Sequence, residues 1–165
     1  MTDGKNTVRT HNRSANKTIG RYGEDAACAY LEQNGYRIVG RNVYADGCEA
    51  DILAENETHF VFAEVKTRRE HPEAPDRFGR PANAVTAVKR THMLTMARAW
   101  LREHPEILEK HSPRLDVIEV YLSPADPPIP GSTDTSPCPI PVLAVYHFPD
   151  AVREKPNYAR TRKKY

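Results

Sequence analysis

Apolar residues first recur at helical spacing between Gly20 and Asn34, where Ala27, Tyr30 and Leu31 mark one side of GRYGEDAACAYLEQN. The pattern predicts an amphipathic helix over 20 to 34, closed by Gly35, which can take the positive φ of a helix C-terminus. Glu24 precedes Ala27, Cys28 and Leu31 by three, four and seven residues. This acid therefore shares the face that packs. The period then changes to two. YRIVGRNVY (36 to 44), EADILA (49 to 54) and THFVFAEV (58 to 65) read as strands of an antiparallel meander, joined at Asp46-Gly47 and at Glu55-Asn56-Glu57.

After a loop with three prolines (71 to 82), helical periodicity returns from Ala84 to Glu103, with Met93, Ala97, Trp100 and Leu101 as its apolar stripe. Lys89 stands one turn before Met93 on that side. LDVIEVYL (115 to 122) is a further strand, and the helical crossover before it implies a parallel, right-handed connection. Half of the fourteen prolines fall between Pro124 and Pro141, an extended loop ahead of a last strand, VLAVYHF (142 to 148). The order predicts one α/β domain over 18 to 150 with helices on both faces of a sheet. A polar tail over 1 to 17, expected to be disordered, and a basic tail over 151 to 165 flank it.

Composition narrows the picture modestly. The 165 residues, 39% hydrophobic and 28% charged, suit one folded core. No apolar run approaches the length of a membrane span, and MTDGKNTVRTHNRSANKT lacks the apolar centre of a secretory signal. A cytoplasmic location is expected. Cys28, Cys48 and Cys138 have no CxxC or His/Cys spacing, which argues against a zinc ribbon or a disulfide framework and for reduced thiols. A formal charge of +2 is compatible with a nucleic-acid partner without requiring one.

The chemistry concentrates where the oily strand FVFAEVKTRR ends. Phe60, Phe62, Glu64 and Lys66 share one face and Val61, Ala63 and Val65 the other, so Glu64 starts near a core. A lone buried carboxylate is costly, and Lys66 compensates only part of that cost. If 55 lies opposite 60 in the hairpin, Asp51 lies opposite Glu64, roughly 5 Å away. Two acids that close repel unless a cation sits between them. Glu49 falls on the same face, and Glu24 could complete the set from the first helix. Carboxylates that hold Mg²⁺ or Mn²⁺ beside a lysine suit phosphodiester hydrolysis. Arg68, Arg69 and Lys89 would then contact neighbouring phosphates. Taken singly, these residues have ordinary readings: a surface ion pair, turn-flanking acids, a helix-dipole partner and a solvated lysine.

GRYGEDAACAYLEQNGYRIVGRN, CEADIL, VFAEVKTR, FGRPANAVTAVKRTHMLTMARAWL and RLDVIEV, in that order, resemble the small bacterial YraN family. That family is similar to archaeal Holliday-junction resolvases of the restriction-endonuclease-like superfamily, with its PD-(D/E)xK signature. The resemblance covers about residues 18 to 122. It implies that Asp51 is the signature aspartate, that Glu64 and Lys66 form its Glu-x-Lys, and that Glu24, Glu49 and Lys89 match further family positions. The implied fold is a mixed central sheet flanked by helices. The implied activity is metal-dependent endonucleolytic cleavage of DNA, in branched or repair intermediates, and the likeness to resolvases implies a homodimer. The alternative is a nucleic-acid-binding accessory module on the same fold without turnover.

Overall fold

The computed structural model describes residues 7–69, 85–124 and 140–153, with side chains from residue 16 onward. The elements run α1 (Thr7–Gln33), β1 (Arg37–Ala45), β2 (Cys48–Glu55), β3 (His59–Arg68), α2 (Ala87–Glu103), α3 (Ile107–Lys110), β4 (Ser112–Leu122) and β5 (Val142–Phe148). The five strands form one sheet in the order β1-β2-β3-β4-β5, with β3 and β4 parallel and the other neighbours antiparallel. This is a mixed α/β fold, compatible with a restriction-endonuclease-like architecture. The prolines of 71 to 82, most of the Pro-rich stretch and the basic tail beyond Arg153 lie outside the described residues.

Local chemistry accounts for the joints. At the end of α1, Gly35 takes φ 82°, Tyr36 N–H donates to Leu31 O and Gly35 N–H to Glu32 O, the bond pair of a Schellman close. Asp46 and Gly47 both have positive φ between the paired residues Ala45 and Cys48, a two-residue turn whose twist suits a hairpin. Between β2 and β3 the Asn56 carboxamide oxygen accepts from Thr58 N–H and His59 N–H. That turn sets Glu55 opposite Phe60, as the alternation requires. Thr86 caps α2 by accepting from Lys89 N–H, so the helix starts at Ala87 and not at Ala84.

The largest departure is the start of α1. The helix begins at Thr7, so residues 7 to 17 are helical where a disordered tail was expected. These residues carry no apolar period, so the hydrophobic pattern could not mark them.

Packing divides by face. Ala27, Cys28 and Leu31 of α1 are buried against Ile52, Ala54, Val61, Ala63, Ile118, Val120 and Leu122. On the other face, Met96, Ala97 and Ala99 of α2 pack on Leu53, Phe60 and Phe62. Alternation along β3 therefore sends Glu64 and Lys66 to the α2 side and Val65 and Thr67 to the α1 side.

Gly23 is the closest approach of α1 to β3. A Cβ there would fall 1.8 Å from Thr67 Oγ1 and 2.8 Å from both Thr67 carbons. Alanine for glycine inside a helix ordinarily gains about 1 kcal/mol. Here the overlap with the Thr67 Cβ cannot be relieved by turning its hydroxyl, and overpacking typically costs about 1–3 kcal/mol. Gly23→Ala is therefore expected to lower the unfolding midpoint in a thermal melt, against the helix-propensity trend.

Candidate functional site

β2 and β3 pair regularly as far as Ile52 and Ala63, and Asp51 and Glu64 are the next residues along. There the ladder gives way to a side chain: Val65 N–H donates to Asp51 Oδ2 at 2.7 Å. The acids face each other at the end of an apolar strand pair, with Glu64 only 3% exposed. Lys66 Nζ donates to Glu64 Oε1 at 2.6 Å. Lys89 Nζ, from the first turn of α2, stands 2.6 Å from Oε2. One buried carboxylate is thus flanked by two ammonium groups, each still about a third or less exposed.

Electrostatics follow from this crowding. Burial, and then the neighbouring Glu64 charge, push the Asp51 carboxyl up to about 7, against the opposing pull of the Val65 N–H and Lys89. Burial would lower the Lys89 pKa, but Glu64 beside it, with Asp51 and Glu49, raises it above the ordinary value. The ammonium stays charged.

Asp51 therefore binds its proton more tightly folded than unfolded. Its contribution to stability is present below the unfolded carboxyl pKa and is lost as pH rises through about 7. Asp51→Asn keeps an oxygen for the Val65 N–H and removes that loss. In chelator at pH 8 the variant is expected to be more stable than the parent by about 1–3 kcal/mol in urea titrations, and at pH 4 the gap closes.

The other predicted residues fall into place unevenly. Glu49 lies on the Asp51 side of β2, where hydrogen bonding to it raises the Tyr44 phenol pKa. Glu24 is not drawn into the acid pair. Its Oε2 accepts from Asn42 Nδ2 at 3.1 Å and pairs with Arg41 at 3.5 Å, because α1 packs on the sheet face opposite Glu64. Lys89 points into the acid pair and not outward to a phosphate track. Arg68 sits 3.6 Å from Glu119, and Arg69 donates to Pro124 O. Among the described residues, no three His, Cys, Asp or Glu side chains stand together as a ready metal site. The donor set that fits a hard divalent cation is the opposed pair Asp51 and Glu64, all of it carboxylate oxygen, with Glu49 two residues away along β2.

Two participants escape sequence reading. Glu119 is 6% exposed on β4, opposite Lys66 across the parallel pairing, and accepts from Tyr121 O–H at 3.1 Å. It puts a second buried acid on the face of Glu64 and holds Arg68 against the site. The signal was an acid in LDVIEVYL at alternate spacing with Val117 and Tyr121. The second is Asn42, at φ 49° inside β1. It sits between the pairs Arg41↔Ile52 and Val43↔Ala50, hence across from Asp51, and its amide reaches Glu24. Asparagine tolerates the left-handed region better than most residues, and only the folded hairpin reveals the need for it.

The model of uncharacterised protein family UPF0102 matches residues 23–120. A UPF0102 protein of Geobacter sulfurreducens is 41% identical over 113 residues, 68% of this chain and 83% of the relative. One of Caldanaerobacter subterraneus is 35% identical over 108 residues, 66% and 83%. One of Symbiobacterium thermophilum is 38% identical over 110 residues, 66% and 86%. The matched span begins at Gly23, against Thr67, and ends past Glu119.

Proposed function

The chain belongs to the uncharacterised family UPF0102, the YraN-like family of the resemblance, and on that premise we propose from its site that it is a metal-dependent nuclease hydrolysing phosphodiester bonds in DNA. The observation that carries this reading is the buried Glu64, opposed by Asp51 and flanked by Lys66 and Lys89 at 2.6 Å each. Four titratable groups at the open end of the apolar β2–β3 pair have no packing purpose that leucine would not serve better.

A Mg²⁺ or Mn²⁺ ion held by Asp51 and Glu64, with Glu49 beside them, would polarise a phosphate and acidify a bound water. Asp51 contributes a carboxylate that gives up its proton near neutral pH. Lys66, tethered through Glu64, presents N–H donors where charge grows on phosphoryl oxygens. Lys89 places a positive charge against the Glu64 carboxylate from the α2 side. Arg68, oriented by Glu119, reaches the flank of the same face, where a guanidinium anchors a neighbouring phosphate without reading sequence. Paired cuts in a branched substrate would need two copies of the chain.

The decisive experiment incubates the purified full chain with end-labelled four-way-junction, nicked and linear duplex DNA in Mg²⁺, Mn²⁺ or EDTA. Cleavage that EDTA abolishes is the expected result. Binding without cleavage in either metal would favour the second reading, an accessory module that binds DNA without turnover. One feature supports that alternative: Lys66 and Lys89 already balance the charges of Asp51 and Glu64 without an ion.

A further inference from the structure

Beside the acid pair, α1 overhangs the end of the β1–β2 hairpin and leaves an open cavity of about 840 Å³. Its helical wall carries Lys17, Arg21 and Glu24, at spacings of four and three that place them on one side of α1. Tyr22 stands beside that row, and the sheet wall supplies Tyr44 and Glu49.

Three properties of this cavity restrict its occupant. Tyr44 is 66% exposed and makes no ring contact among the described residues, so a flat aromatic face is left to solvent. Lys17 and Arg21 are exposed and form no ion pair among the described residues. Glu24 is already engaged by Arg41 and Asn42, while Glu49 sits next to the Tyr44 hydroxyl. A small anion would meet Glu24 and Glu49 across the same cavity. A divalent ion would meet Arg21 and Lys17 on the helix side. A nucleotide answers both, with its phosphate at the basic row and its neutral base on Tyr44, where amino groups on the base edge find carboxylate acceptors.

We infer that this cavity receives an unpaired nucleotide of the DNA next to the bond cut at Asp51 and Glu64. The inference rests on the nucleic-acid reading above and narrows its substrate class to DNA with unpaired nucleotides. A base inside a duplex has both faces stacked and cannot lie on Tyr44, whereas an unpaired base can. Glu49 is two strand residues, roughly 7 Å, from Asp51, so the pocket and the acid pair adjoin on one strand.

The test uses fluorescence anisotropy in EDTA, which keeps binding apart from cleavage. The full chain is titrated into a labelled blunt hairpin and into the same hairpin with a short single-stranded arm. Wild type is expected to bind the armed hairpin about tenfold more tightly, the scale of one stacked base. In Tyr44→Ala that ratio falls to near one, and in Tyr44→Phe it is retained. Arg21→Glu lowers affinity for the armed hairpin. Equal affinity of wild type for both hairpins, or a ratio unchanged in Tyr44→Ala, overturns the pocket while leaving the nuclease reading intact. Binding of neither hairpin also overturns the pocket, and cleavage in Mg²⁺ or Mn²⁺ then decides the nuclease reading by itself. Tyr44 and Arg21 are exposed, so their replacement leaves the core untouched.

Discussion

Lys66→Ala is expected to reduce DNA cleavage by about 10²–10³-fold, the usual loss when one preorganised donor to a developing charge is removed, while affinity for DNA changes little. Lys66 and Lys89 stand at equal distances from Glu64, yet their surroundings differ. Lys66 lies near the end of β3, is 34% exposed and shares its strand with Glu64, so it moves with the acid and stays within reach of a bound phosphate. Lys89 arrives from another element, is the less exposed of the two at 27% and serves chiefly as counter-charge. Single-turnover cleavage should therefore fall further in Lys66→Ala than in Lys89→Ala. Lys66→Arg should not rescue it, because the planar guanidinium cannot present a compact ammonium at the same point. A melting temperature near the parent's in Lys66→Ala, with Lys89 still compensating Glu64, would separate lost chemistry from lost folding. Equal rates in Lys66→Ala and parent would sink the assignment.

Legibility in the sequence divides along the range of the interactions involved. The hairpin register that opposes Asp51 and Glu64 was readable because alternation and a short turn fix it locally, and the structure pairs Glu55 with Phe60 accordingly. Gly35 and Asp46-Gly47 were readable for the same reason. The fate of Glu24 was not. Helical spacing put it correctly beside Ala27 and Leu31, but which face of the sheet that helix covers is a tertiary matter, and Arg41 and Asn42 capture the acid before it can join Glu64. The start of α1 at Thr7 was hidden because TVRTHNRSANK carries no apolar period, which is the signal a helix is read from. Glu119 and Asp116 were passed over because an acid in a strand looks like solvent-side alternation until both faces of that strand are covered.

Asp116 carries the largest expected stability effect, and it lies on the α1 side of the sheet, away from Glu64. It is fully buried, and its carboxylate accepts from Arg114 Nε at 2.8 Å, from Arg114 Nη2 at 2.8 Å and from Asp150 N–H at 2.8 Å. His147 Nε2 stands 2.8 Å away, and Arg114 also donates to the Tyr36 hydroxyl. Burial alone would raise the pKa, but the bonds from His147, Arg114 and the Asp150 amide outweigh it and hold Asp116 below the usual carboxylate range. A depressed pKa means stability that is present above the unfolded carboxyl value and is lost as pH falls through the folded one. Asp116→Asn keeps the shape but strands the Arg114 charge, whose side chain is only 14% exposed. Breaking a buried pair by one partner costs about 3–5 kcal/mol, so urea unfolding at pH 7 should show a loss of that order, shrinking toward pH 3. The acid also ties β4 to His147 of β5 and to the turn at Asp150. Amide exchange should therefore accelerate first across Val142–Phe148, while the β2–β3 hairpin that bears Asp51 and Glu64 keeps its protection.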